Sequence, residues 1–441
     1  MVIVGAGFAG LNAAKGLAHL PVDVTVVDRS NHYTFQPLLY QVALAVLSPA
    51  DIAQPIRSIL RHQRNAEVLM DEVVAIDAAA RHVTLASGAS LDYDYLVLAT
   101  GATHSYFGHP EWAPFAPGLK SIEDATEIRR RVLLAFELAE RQMVEHGWHP
   151  PLNFVVIGGG PTGVELAGAI SDIAQLYMRR DFRHIDPAKS RVLILEGSPR
   201  VLAAYPEDLS AKAEAALKHL GVEVHTNTHV TNVGPGWVEA TDSTGVRRIE
   251  AVVTLWAAGV QASPLGKLLG APLDKRGGVI VDDRLNPPGL PEVFVLGDLA
   301  HFAQDGHQVP GVAQPAMQMG DHVAKIVAAD LAGKPRPAFR YFDKGDMATI
   351  GRMSAVAKVE WPFKAHMSGF LAWAAWLTVH IFFLIGFRNR FAVFVAWIWT
   401  YFTFTRGARL ITGDQRLPGW PDEIAAGPVD PPQRAETKSE S

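Results

Sequence analysis

The feature that most constrains this chain is a glycine-spaced turn that occurs twice. Gly5-Ala6-Gly7-Phe8-Ala9-Gly10 follows the β-branched run Val2-Ile3-Val4, opens the helical stretch LNAAKGLAHL, and is followed 18 residues after Gly10 by Asp28, which closes the next apolar run. The first glycine permits a tight turn, the second lets a pyrophosphate approach backbone N–H groups, and the third lets helix pack on strand. A terminal acid can accept a ribose 2′-hydroxyl. The pattern returns as Gly158-Gly159-Gly160-Pro161-Thr162-Gly163 after LNFVVI, with Glu196 closing RVLILE. One such turn is a weak signal. Two of them, each with strand, helix and terminal acid, predict two dinucleotide sites.

The second site differs from the first in spacing. From Gly163 to Glu196 there are 33 residues against the usual ~20, so an insertion is expected within DIAQLYMRRDFRHIDPAKS. The Glu196 charge would repel the 2′-phosphate of NADPH and favour NADH. Arg200 would soften that preference unless it is simply solvated.

At 441 residues the chain has room for about three domains. Short apolar strands alternate with helical stretches to about residue 115, which is a βαβ pattern with a parallel sheet. A charged amphipathic helix is expected over 122–146, and Pro150-Pro151 breaks the chain before the second βαβ unit. PEVFVLGDLA reads as a return to the first sheet. The expected division is therefore 1–120 with 285–335, then 150–284, then 336–422, with a disordered tail over 423–441 of Pro, Ala and charge.

Two such folds in one chain suit a resident FAD and a nicotinamide that comes and goes against its ring, so that a hydride passes directly. With Thr100-Gly101 in LVLATGA, Ala258-Gly259 in LWAAGV and Gly297-Asp298 in VFVLGDLA, residues 1 to about 332 resemble the two-dinucleotide-binding-domain flavoproteins. The resemblance implies an α/β fold with two Rossmann-like, glutathione-reductase-like domains. It places Gly5, Gly7, Gly10, Asp28, Gly101 and Asp298 at FAD, Asp298 at its ribityl or phosphate region, and Gly158, Gly160, Gly163, Glu196 and Gly259 at NADH.

Local features narrow the family. Asn31-His32-Tyr33-Thr34-Phe35-Gln36-Pro37-Leu38-Leu39-Tyr40-Gln41-Val42-Ala43 resembles the stretch of type II NADH dehydrogenases that passes beside the isoalloxazine, and Ala313-Gln314-Pro315-Ala316-Met317-Gln318 matches that family's AQxxxQ quinone motif. Pro315 suits the first turn of a helix to about 332, whose positive end would favour a reduced anionic flavin. Gln314 and Gln318, four apart, can face one pocket and bond a quinone carbonyl, or serve as a cap and a surface amide. Glu165 has two readings: Thr162-x-x-Glu165 is a capping box, and the resemblance places this acid by nicotinamide and flavin in quinone protonation. Lys358 and Lys364 are candidates for the quinone channel or surface lysines.

There is no cysteine, which excludes the thiol-dependent disulfide and sulfide:quinone reductases of this fold and any thiolate metal site. No metal site is expected. A net charge of −5 with no basic block argues against nucleic acid. No signal-peptide pattern fits ahead of the first strand, so the bulk of the chain is expected in the cytoplasm.

The apolar excess sits at GFLAWAAWLTVHIFFLIGF, residues 369–387, and FAVFVAWIWTYFTF, which flank Arg388-Asn389-Arg390. With Trp373, Trp376, Trp397 and Trp399 and with Arg388, Arg390, Arg406 and Arg409, in-plane interfacial helices on the cytoplasmic leaflet are expected; the alternatives are a spanning helix over 369–387 and a homodimer interface. The family resemblance implies an enzyme that passes electrons from NADH through FAD to a membrane quinone without pumping protons. The alternatives are a soluble NAD(P)H reductase for a protein acceptor and a redox-sensing FAD protein.

Overall fold

The computed structural model describes residues 1–403 and 408–421; the expected tail over 423–441 and Arg406 lie outside them. Apolar β-branched runs form the middles of two parallel sheets. The first sheet runs, in spatial order, Val293–Val295, Leu96–Leu98, Val2–Val4, Val24–Asp28 and Ala66–Met70. Its residues Ile3, Val26, Val97 and Phe294 have no accessible surface, and each side chain so buried contributes about 1.5–3 kcal/mol. The edge strand Val293–Val295 arrives from far along the chain, so the first sheet is completed only after the second is built.

The second sheet runs Val222–His225, Arg191–Leu195, Asn153–Ile157 and Val253–Trp256, again all parallel. A three-stranded antiparallel meander accompanies each sheet, over 73–92 and 229–250. The expected insertion is a π-helical turn, Ile173–Tyr177, followed by loop and the short turn Pro187–Lys189.

Two helices lock the first half together. Phe8–Gly16 lies against Ala313–Leu331 at Gly320, where a Cβ would stand 2.3 Å from the Ala9 carbonyl oxygen. Only glycine lets the backbones approach this closely.

The helix Ile122–His146 has a true capping box, Ser121 with Asp124, and ends on Gly147 in the left-handed region. Its arginines are not a solvated face. Arg130 donates to the carbonyls of Asp414 and Arg416 at 2.7 Å while Glu127 neutralises it, which straps the segment after residue 408 onto the helix.

Beyond the sheets, Gly345–Thr349, Ala355–Val359 and Ala365–Ser368 form an antiparallel sheet that feeds the helices Gly369–Phe383 and Phe387–Thr403. The first of these has 15 residues and stops at Phe383, short of the ~20 a span needs. Among the described residues no helix is long and apolar enough to cross a membrane.

Candidate active site

Each glycine turn builds the same cradle. Gly5 and Gly158 have φ of +95° and +105°, and a Cβ on either would strike the backbone of the next strand's end at 2.6 Å. A Cβ on Gly10 or Gly163 would reach the carbonyl oxygen of that first glycine at 1.8 and 1.9 Å. Gly7 and Gly160, each the residue before its helix, have nothing within 4 Å of a Cβ position. The helix N-termini therefore open onto space beside unpaired N–H groups, the surroundings a pyrophosphate requires. The chain fits a dinucleotide at both turns.

The terminal acids are both held by backbone donors. Asp28 accepts from Ala6 N and Ser30 N, both at 2.7 Å. Glu196 accepts from Gly159 N at 2.5 Å and Ser198 N at 2.7 Å. These backbone donors aim each carboxylate and leave it acceptor capacity for ribose hydroxyls. Arg200 instead donates to the carbonyls of Tyr205 and Ala203 at 2.8 and 3.0 Å, so its own loop holds the guanidinium.

Gly101 and Gly259 precede two short strands, Ala102–His104 and Val260–Ala262, that pair antiparallel and join the two halves. Ser263 N donates to Gly101 O at 3.0 Å, and Ser105 N to Gly259 O at 3.1 Å. A Cβ on Gly259 would lie 2.7 Å from the Phe107 ring. Asp298 follows Gly297, whose φ is +65°, and has Lys120 Nζ at 3.8 Å. A Cβ on Gly297 would touch both Ala9 and Ala316, at 3.5 and 3.3 Å, so the turn carrying Asp298 sits between the starts of two helices.

Glu165 is where the sequence expectation needs correcting. The helix begins at Pro161 with Gly160 as its cap and no side-chain cap bond, so Thr162 and Glu165 form no capping box. A cap needs a side-chain oxygen before the first helical residue, and Gly160 supplies none. The Glu165 carboxyl instead accepts from the backbone N–H of Thr349 at 3.5 Å. The residue keeps part of its surface accessible, yet its carboxyl lies deep enough that desolvation pushes its pKa up to about 8, against the smaller downward pull of that N–H. An acid poised near neutrality can give and take a proton.

Gln314 and Gln318 lie on the Ala313–Leu331 helix and grip one segment. Gln314 Nε2 donates to Gly345 O at 2.7 Å, and Gln318 Nε2 to Phe342 O at 2.9 Å. Each amide nitrogen carries a second hydrogen. Gln314 Oε1 is buried with no partner among the described atoms. Phe342 and Trp361 are about half exposed with ring centroids 6.2 Å apart, so an apolar rim adjoins Gln318. Lys358 is paired with Glu360 at 2.9 Å, and Lys364 points outward with 85% of its side chain exposed.

The C-terminal helices divide their aromatic residues between two tasks. Trp376, 2% exposed, stacks on His380 at 4.1 Å, and His380 meets Phe35 edge-on at 6.2 Å. Burial pushes His380 down to about 4, so it is neutral at pH 7. Leu371, Phe382, Phe391, Trp399 and Phe402 face outward. Arg388 and Arg390 are exposed beside them, whereas Arg409 is held by Asp181 and the Tyr177 carbonyl. Among the described residues there is no group of three His, Asp or Glu that could hold a metal ion.

Residues 1–320 match the family described as pyridine nucleotide-disulphide oxidoreductase, and residues 344–406 match the NDH2 C-terminal domain. The chain is 45% identical over 426 residues to the type II NADH:quinone oxidoreductase Ndh of Mycobacterium tuberculosis, covering 94% of this chain and 90% of that one. It is 44% identical to NdhA of the same organism, covering 93% and 89%. The structure of NDH2 from Plasmodium falciparum in complex with NADH superposes with a TM-score of 0.82 at 20% identity, covering 93% of this chain and 99% of that chain.

Proposed function

Because the chain belongs to the type II NADH:quinone oxidoreductase family, we propose that its two cradles serve one reaction, NADH oxidation at the expense of a quinone. The protein is an FAD-dependent NADH:quinone oxidoreductase, and the observation that carries this reading is the duplicated cradle with an acid of raised proton affinity, Glu165, on the first turns of the second cradle's helix. When bound, FAD accepts the hydride of NADH and releases two electrons to the quinone. No proton pumping accompanies the transfer in this reading.

The chain's own groups divide the work. Gly5, Gly7, Gly10 and Asp28 bind the adenosine diphosphate portion of FAD, while Gly101 and Asp298 hold its far end. Gly158, Gly160, Gly163, Glu196 and Gly259 receive NADH. The spare hydrogens of Gln314 and Gln318 meet a quinone carbonyl, and Glu165 exchanges the proton that quinone reduction consumes. Residues 1–120 with 285–335 form the FAD-binding domain in this account, 150–284 the NADH-binding domain, and 336–422 the part that meets the membrane. Leu371, Phe391 and Trp399 immerse at the cytoplasmic leaflet while Arg388 and Arg390 meet its headgroups. That surface attachment brings the Gln318 rim to a lipid-dissolved acceptor.

Steady-state turnover of the flavin-loaded protein with a short-chain quinone, NADH run beside NADPH, tests this reading. Quinone-dependent turnover that favours NADH is expected. Flavin reduction without quinone turnover would leave the cradles in place and discard the acceptor.

A further inference from the structure

A file of hydrogen bonds runs from the C-terminal helices to Glu165. Trp397, on the Phe387–Thr403 helix, donates from Nε1 to Gln41 Oε1 at 2.7 Å. An indole N–H can only donate, so the Gln41 oxygen must face it and the amide nitrogen must face the other way. Gln41 Nε2 indeed donates to Tyr40 Oη at 3.0 Å. The same hydroxyl shares a hydrogen bond with Thr349 Oγ1, 2.9 Å away, in which either oxygen can donate. Thr349 in turn presents its backbone N–H to Glu165 Oε1. Gln41, Tyr40 and Thr349 are 7%, 8% and 2% exposed, so the file is shielded from bulk solvent.

We propose that Tyr40, fixed by Gln41 and Trp397, is a positioning residue for Glu165 and acts through Thr349. The inference rests on the reading of Glu165 as the acid of quinone reduction. The final contact, at 3.5 Å, stands at the outer limit of a hydrogen bond, where a displacement of a few tenths of an ångström decides whether the N–H still assists the carboxylate. An N–H donor favours the ionised acid. Loss of the Tyr40 hydroxyl removes the side-chain anchor of Thr349, whose strand stays paired through Thr349 and Ala355, and a small shift of its N–H lets Glu165 keep its proton to higher pH. The file also ties the acid's surroundings to a helix that carries part of the outward apolar face.

The test is the pH profile of quinone-dependent kcat for the full-length flavin-loaded enzyme. Tyr40→Phe and Thr349→Val are expected to move the ionisation upward by roughly half a unit to one unit, Trp397→Phe to move it the same way by less, and Thr349→Ser to retain the parent profile. Flavin content checks folding, and should Tyr40→Phe lose flavin, the Val and Ser pair at Thr349 decides. An unshifted ionisation in Tyr40→Phe and Thr349→Val, with only kcat or stability lowered, reduces the file to packing and overturns the proposal. Glu165→Gln separates the two levels. If the ionisation disappears in Glu165→Gln yet does not move in Tyr40→Phe, the positioning role alone fails. If it persists in Glu165→Gln, the acid is elsewhere and both readings fail.

Discussion

Gln318 and Phe342 hold one another in both directions, with the side-chain amide donating to the backbone carbonyl and the backbone N–H returning a bond to Oε1, each at 2.9 Å. The Gln318 amide is therefore a clasp that fixes the approach to the Gly345–Thr349 strand. Replacing Gln318 with Glu keeps the size and the acceptor but removes the donor to Phe342 O. At this exposed position the bond contributes a net of about 0.5–1.5 kcal/mol. We expect Gln318→Glu to raise the quinone KM by up to roughly tenfold and leave the NADH KM unchanged. Equal changes in both KM values would place the clasp outside the quinone site.

Glu165 has a folded-state pKa of about 8 against an ordinary value of 4.5. Between those two pH values the folded chain binds a proton that the unfolded chain has lost, so stability falls as pH rises through this window. Glu165→Gln removes the titration. It should melt several degrees above the parent at pH 9, with the gap closing as the pH is lowered toward 5, while quinone turnover drops roughly tenfold or more. Melting curves that stay parallel across pH would show that the carboxyl is not desolvated.

Glu196 accepts from Gly159 N and Ser198 N, which orients its carboxylate, and in the proposed reading the extra phosphate of NADPH would arrive beside it. Glu196→Gln keeps the shape and removes the repulsion. The ratio of kcat/KM for NADH over NADPH is expected to fall roughly tenfold. An unchanged ratio would assign Glu196 to the loop alone.

The outward face of the C-terminal helices exposes Leu371 by 69% and Phe391 by 62%. Leu371→Asp with Phe391→Asp should abolish co-sedimentation with vesicles containing anionic lipid and leave turnover of a water-soluble short-chain quinone in place. Vesicle binding that survives both changes would move the contact off this face. A fall in oligomer size instead would identify the face as a subunit interface.

The parts of the site that were legible in the sequence are local ones. Glycine spacing and the terminal acids Asp28 and Glu196 depend on turn sterics within some 40 residues, and the second cradle repeats the first. Thr162 and Glu165 fit the spacing of a capping box but form none, because Pro161, which has no N–H, already starts the helix behind Gly160. Trp376 and Arg409 read as membrane anchors from composition, but one is core against His380 and the other is held by Asp181. Periodicity could not separate them from Trp399 in a segment that is apolar on nearly every side. The file from Trp397 to Glu165 joins residues 356 apart at Gln41 and 309 apart at Tyr40. No local pattern encodes such pairs; they exist only once the two helices have folded back on the first domain.

The most direct test is to reduce the flavin-loaded protein with one equivalent of NADH without oxygen, and then to mix it with a short-chain quinone while following the flavin absorbance. The account predicts reduction by NADH in the first step and rapid, stoichiometric reoxidation in the second. A flavin that is reduced but stays reduced in the presence of quinone would contradict it, and would point to a protein acceptor or a redox sensor in place of quinone.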